Sequence, residues 1–150
     1  MFSSDKNYWE TPQWLYDELD KEFHFTLDAA ASDSNHKCER YYTVNDNGLT
    51  KDWTGETVFV NPPYGNRETG DWTRKCYEEA QKPGTTVVLL IPARTDRASF
   101  HDYIYDANTY TTRPGVEVRF LKGRLKFEIA GDPVGTAPFP SMVVIFKGAA

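Results

Sequence analysis

The sequence predicts an α/β domain built on a mostly parallel sheet. Three observations predict it. Val87-Val88-Leu89-Leu90-Ile91 is an uninterrupted apolar run, the pattern of a strand buried on both faces. Val58-Phe59-Val60 is a shorter run of the same kind. It stops at Asn61-Pro62-Pro63-Tyr64, where two prolines forbid both a continuing strand and direct entry into a helix. Around these runs lie segments with apolar residues three to four apart, the spacing of amphipathic helices.

Taken in order, Met1–Tyr8 reads as a loose lead-in. Thr11-Pro12 is a helix start, with Thr as N-cap and Pro as the first helical residue. Trp14, Leu15, Leu19 and Phe23 then predict an amphipathic helix over 12–21. Phe23 to Leu27 alternates and predicts a first strand, ending at Asp28-Ala29-Ala30-Ala31-Ser32. Glu39 to Thr43 is short and aromatic and predicts a second strand. The turn-rich Asn45-Asp46-Asn47-Gly48 follows, and Asp46 either shapes that turn or contacts a ligand. After the Asn61–Tyr64 elbow, Gly65–Gly70 is polar and glycine-flanked, so it predicts a mobile loop over the site. Trp72, Cys76, Tyr77 and Ala80 predict a helix over 71–81, stopped by Pro83-Gly84. Beyond the Thr85–Ile91 strand, a short helix is expected over 97–105 and a strand over Val116–Leu121. Gly123–Phe127 reads as a turn and strand, Gly131–Pro140 as a Gly/Pro loop, and Met142–Phe146 as the closing strand.

The elbow carries specific chemistry. An exocyclic amine on a nucleobase is a poor nucleophile because its lone pair is delocalised into the ring. Two acceptors on its hydrogens, the Asn61 side-chain oxygen and the Pro62 carbonyl, push the nitrogen toward a tetrahedral shape and free the lone pair. Neither Pro62 nor Pro63 offers a donor, so the corner favours an amine as guest. The Tyr64 ring is expected to stack on a base taken out of the duplex. A plain strand-ending turn is the bland alternative, since Asn-Pro is a common turn signal.

Asn61-Pro62-Pro63-Tyr64 resembles the catalytic motif of methyltransferases that act on amino groups. The whole chain resembles the phage-type DNA N-6-adenine methyltransferases. The resembling segments, in order, are Trp9–Pro12, Phe25–Ala30, Gly48-Leu49 with Asp52-Trp53, Asn61–Gly65, Leu90–Asp96 and Gly123–Phe127. The resemblance implies a Rossmann-like class I fold, reduced in size, with an antiparallel strand pair at the C-terminus. It implies S-adenosyl-L-methionine as cofactor, flipped adenine in DNA as substrate, and the cytoplasm of a bacterial host as location. Asn61, Pro62, Pro63 and Tyr64 become catalytic residues. Thr11, Asp28, Ala29, Ala30, Asp46 and Asn61 become cofactor contacts. The loop after the first strand departs from the general methyltransferase pattern, because it holds no glycine. Cytosine N4, an RNA base and a protein glutamine remain open as targets for the same fold. So does a degenerate module without catalysis.

The chain has 150 residues, 15% of them aromatic, which suits one compact domain over 1–150. No apolar run approaches the roughly 20 residues of a membrane span, and no secretion signal is seen at the start. Two cysteines, Cys38 and Cys76, show no metal-ligand spacing and predict reduced thiols without a metal. Methylation at cytosine C5 needs a nucleophilic thiol, and neither cysteine lies in a suitable context. The net charge of -5 argues against binding nucleic acid by bulk charge. The charge is uneven, however. Residues 1–93 carry nine Lys and Arg against sixteen Asp and Glu, whereas 94–126 carry seven against four. Arg94, Arg97, Arg124 and Lys126 are therefore candidates for contact with DNA phosphates. So small a chain leaves base reading to loops and predicts a short or relaxed recognition site. The sequence carries no signal of oligomeric state.

Overall fold

The computed structural model describes residues 9–148; the expected lead-in over Met1–Tyr8 lies outside them. Helix α1 spans Gln13–Phe23 and ends at His24, a left-handed residue whose N–H donates to the Asp20 carbonyl at 2.8 Å. Its buried stripe is Leu15, Tyr16 and Leu19. Trp14, expected on that stripe, is 59% exposed, because it sits about 100° around the helix from Leu15. Thr11 does not cap the helix. Pro12 holds the N-cap position, and Thr11 turns instead toward Asn61.

The strands, in chain order, are β1 (Leu27–Asp28), β2 (Thr57–Val60), β3 (Thr86–Pro92), β4 (Tyr105–Asp106), β5 (Thr111–Thr112), β6 (Val116–Phe120), β7 (Lys126–Ile129), β8 (Asp132–Thr136) and β9 (Ser141–Lys147). Helix α2 spans Asn66–Ala80 and α3 spans Ala98–Tyr103. Five strands form one sheet of order β1-β2-β3-β9-β6. β1, β2 and β3 run parallel, and β9 is antiparallel to both β3 and β6. This is the expected mostly parallel sheet with an antiparallel strand pair, β6 and β9, from the C-terminal part of the chain.

Register assigns the faces. Phe59, Val88 and Ile145 lie in line across the sheet. Helix α1 covers that face, with the Tyr16 ring 5.2 Å from Phe59 in edge contact. Val87 and Phe146 lie on the opposite face, where Tyr77 of α2 meets Phe146 at 6.5 Å. The central strands are therefore covered on both sides, which is why they read as unbroken apolar runs.

Several expected boundaries move. The first strand shrinks to two residues because α1 continues to Phe23 and His24 turns the chain sharply. Glu39–Thr43 forms no strand. It touches β1 through one bridge, with the Tyr42 N–H donating to the Asp28 carbonyl at 3.0 Å. The loop expected over Gly65–Gly70 is helix. α2 begins at Asn66 behind an extended Gly65, and Glu68 puts a carboxylate in its first turn, where the helix dipole favours it. The loop expected over Gly131–Pro140 is largely the outer half of a hairpin. β7 and β8 pair through Ala130 and Gly131, both at positive φ, as a two-residue turn demands. Pro133 is tolerated there because β8 has β7 as its only strand neighbour among the described residues.

Candidate active site

The elbow sits where β2 leaves the sheet, beside the end of β1. That side of a parallel sheet is where ligands bind in open α/β folds. A cavity of about 480 Å³ opens there. Asn61, Pro62 and Pro63 form one wall, and Thr11 with Asp28, Ala29 and Ala30 forms another. Val44, Leu49 and Trp72 supply apolar surface.

The Asn61 amide is held at three points. Its nitrogen donates to the Trp9 carbonyl at 2.5 Å and to Thr11 Oγ1 at 2.9 Å. Its oxygen accepts the Tyr64 hydroxyl at 2.5 Å. A carbonyl only accepts, so the atom facing Trp9 has to be nitrogen, and the oxygen has to face Tyr64. One acceptor position on Asn61 Oδ1 remains. The Pro62 carbonyl, on a buried residue of the same cavity wall, has no donor among the described residues. The corner therefore offers two acceptors to a guest with two hydrogens.

Tyr64 departs from the expectation. Its ring is 5% exposed and is absent from the cavity wall. It stands at 81° to both Phe127 and Phe139, with centroids 6.0 and 5.7 Å away. The surface expected to stack a base is packed into this aromatic cluster, and the hydroxyl reaches across to the Leu90 carbonyl at 3.1 Å. Burial pushes the phenol well above its ordinary value, so it stays a donor.

Asp28 lines the cavity and is 4% exposed. Burial pushes its carboxyl up, against the backbone N–H groups of Lys37 and Ala30, which donate to it; the Lys37 bond is 2.9 Å. Asp46 is not on the cavity wall. Its carboxylate accepts the Thr43 N–H at 2.8 Å and closes the turn. The loop after β1 holds no glycine, and Gly48 packs directly against it. A Cβ there would lie 2.3 Å from the Ala29 carbonyl oxygen and 3.1 Å from the Trp72 ring. Trp9, Lys37, Val44 and Trp72 also line the site and were not singled out from the sequence. Trp9 alone had a signal, as part of the resembling Trp9–Pro12 segment.

A network under the cavity fixes Gly48. The Trp53 indole N–H donates to the Gly48 carbonyl at 3.1 Å. The Trp53 backbone N–H donates to Glu79 Oε1 at 2.7 Å. Lys75 and Lys82 pair with the same carboxylate at 3.0 and 2.7 Å. Burial alone would raise the Glu79 carboxyl, but these donors outweigh it and hold it below its ordinary value. Its stabilisation is present above the unfolded-state value and is lost as pH falls through the lower, folded one. Glu79→Ala strands the Trp53 N–H and removes the carboxylate paired with the half-buried Lys75, which keeps its bond to the Lys51 carbonyl. Chemical denaturation should show a loss of about 3 kcal/mol.

The basic candidates separate. Arg94 lies over the Phe139 ring at 5.6 Å, and Arg97 donates to Asn66 Oδ1 at 2.8 Å. Arg124 and Lys126 are exposed and make no ion pair among the described residues. Both cysteines are buried. Burial pushes the Cys38 thiol up to about 11 and Cys76 well above its ordinary value, so neither supplies a thiolate. No group of three or more metal-ligating side chains is found among the described residues. No helix among them is long and apolar enough to cross a membrane.

The chain is 26% identical over 146 residues to a DNA N-6-adenine-methyltransferase of Haemophilus phage HP1, covering 96% of this chain and 80% of that one. It is 32% identical over 130 residues to a DNA N-6-adenine-methyltransferase of Escherichia phage T1, covering 85% of this chain and 50% of that one. Among solved structures, the 23S rRNA methyltransferase ErmE superposes with a TM-score of 0.49 at 16% identity, over 93% of this chain and 59% of that one. The model of the DNA N-6-adenine-methyltransferase (Dam) family matches residues 1–149, and the chain belongs to that family.

Proposed function

We propose that one domain spanning this chain transfers a methyl group from S-adenosylmethionine to the N6 amine of adenine in DNA. The observation that carries the reading is the pair of acceptors, Asn61 Oδ1 and the Pro62 carbonyl, on the wall of a cavity sized for a small molecule. Its volume falls within the roughly 300–1,000 Å³ usual for such sites.

The lining fits the cofactor. Val44, Leu49 and Trp72 suit a flat purine, while Thr11, the half-exposed Lys37 and the backbone after Asp28 suit the polar amino-acid end. When bound, S-adenosylmethionine supplies an electrophilic methyl group on a sulfonium. Asn61 and Pro62 then do the protein's part. Each accepts one amine hydrogen, which turns the nitrogen lone pair out of the ring plane. The Trp9 and Thr11 bonds keep the Asn61 oxygen aimed while this happens. Such positioning, made in advance of the reaction, is where most of the acceleration arises.

Adenine reaches this corner only by leaving the duplex. The exposed Arg124 and Lys126, which make no ion pair among the described residues, are the basic side chains we assign to the phosphates. Arg124→Ala and Lys126→Ala should each lower the slope of log affinity against log salt by about one, measured by titration of duplex DNA at several salt concentrations. With phage relatives and DNA as substrate, we place the activity in the cytoplasm of a bacterial host.

The test is incubation with methyl-labelled S-adenosylmethionine and, separately, duplex DNA, single-stranded DNA, RNA and bulk protein. Label is expected in DNA. Label confined to RNA or protein overturns the reading.

A further inference from the structure

The tyrosine of the elbow has its ring packed and its hydroxyl engaged, and the second fact points to a role. Tyr64 O–H has a single hydrogen and two acceptors in reach, Asn61 Oδ1 at 2.5 Å and the Leu90 carbonyl at 3.1 Å. Its ring is clamped edge-on between Phe127 and Phe139, so the hydroxyl has a fixed pivot. We propose that Tyr64 is a positioning residue acting through its hydroxyl, which orients the Asn61 oxygen for the target amine. This rests on the reading of Asn61 given above and deepens it.

The geometry explains why a hydroxyl is useful there. Tyr64 donates to Asn61 Oδ1 and steadies that end of the amide. Thr11 and Trp9 hold the nitrogen end of the planar amide, and Tyr64 adds a third point at the oxygen itself. When an amine hydrogen arrives at Oδ1, the Tyr64 hydrogen can rotate to the Leu90 carbonyl, so no buried donor is left without a partner. Leu90 lies on β3, a central strand buried almost throughout, and its carbonyl is a rigid second resting place. The oxygen thereby becomes fully available to the substrate without any backbone movement.

Tyr64→Phe separates this role from base stacking, because it keeps the ring and removes only the hydroxyl. With unmethylated plasmid DNA and labelled S-adenosylmethionine, kcat is expected to fall on the order of 10²-fold. KM for DNA should stay within about twofold, as should the cofactor affinity measured by calorimetry, since the ring and both binding surfaces are untouched. A Tyr64→Phe enzyme as fast as the parent overturns the proposal and restores a role for the ring alone. So does a loss of kcat accompanied by equal losses in DNA and cofactor affinity, the mark of a merely structural residue. If the parent protein itself transfers no methyl group to DNA, the functional reading fails first and this inference fails with it. Parent activity with an unaffected Tyr64→Phe variant sinks this inference alone.

Discussion

Asn61→Ala should reduce methyl transfer to DNA by at least about 10³-fold, measured as label incorporated under single-turnover conditions. Removing one preorganised polar partner of a reacting group costs about 10²–10³-fold in comparable sites. Here the loss is larger, because Asn61 has two duties. Its oxygen is half of the acceptor pair, and its nitrogen ties Trp9 and Thr11 to the elbow. Alanine leaves the Pro62 carbonyl alone with one of the two amine hydrogens, and the lone pair stays in the ring. Stability should fall by about 1–3 kcal/mol beside this, because the buried Thr11 hydroxyl and the Trp9 carbonyl lose their donor while the strand before Asn61 is still held by β1 and β3. Circular dichroism that matches the parent, with transfer abolished, is the expected combination.

Gly48→Ala should weaken the protein at a different point. The added Cβ lies 2.3 Å from the Ala29 carbonyl oxygen, which is backbone, and 3.1 Å from a buried indole ring. Neither can swing away as the tip of a flexible side chain could. Overpacking of this kind costs about 1–3 kcal/mol, and each kcal/mol lowers Tm by about 2–4 °C at this chain length. Because Ala29 lines the cavity, its displacement should also weaken cofactor binding. A shift of about 1.4 kcal/mol is tenfold in Kd, and calorimetry with S-adenosylmethionine should read at least that much. Gly55→Ala is the contrast. Gly55 has nothing within 4 Å of its added Cβ but sits at φ +80, so alanine there strains the backbone and should lower Tm without changing cofactor affinity.

The central sheet was legible because burial on both faces writes unbroken apolar runs, as in Val87–Ile91 and Val58–Val60. The elbow was legible because proline chemistry is local: Pro62 and Pro63 stop the strand wherever it packs. Elements resting on tertiary contacts were not legible. Glu39–Thr43 looks like a strand by composition, yet it meets β1 at a single bridge. Pro133 and Gly135 made β8 look like a loop, because pairing with β7 alone permits residues that a central strand excludes. The packing of Tyr64 was not legible for the same reason. Nothing in four residues of sequence shows that Phe127 and Phe139, more than sixty positions away, close over its ring. Gly48 likewise packs against a loop that it does not belong to, so a search for glycine next to Asp28 could not find it.

The most direct measurement is mass spectrometry of nucleosides from unmethylated DNA treated with the protein and S-adenosylmethionine carrying a deuterated methyl group. Deuterated N6-methyladenine from the parent protein, and none from Asn61→Ala, is the result predicted by an elbow that grips an amine by both hydrogens. Deuterated N4-methylcytosine in its place, or the same yield of N6-methyladenine from the Asn61→Ala variant, contradicts it.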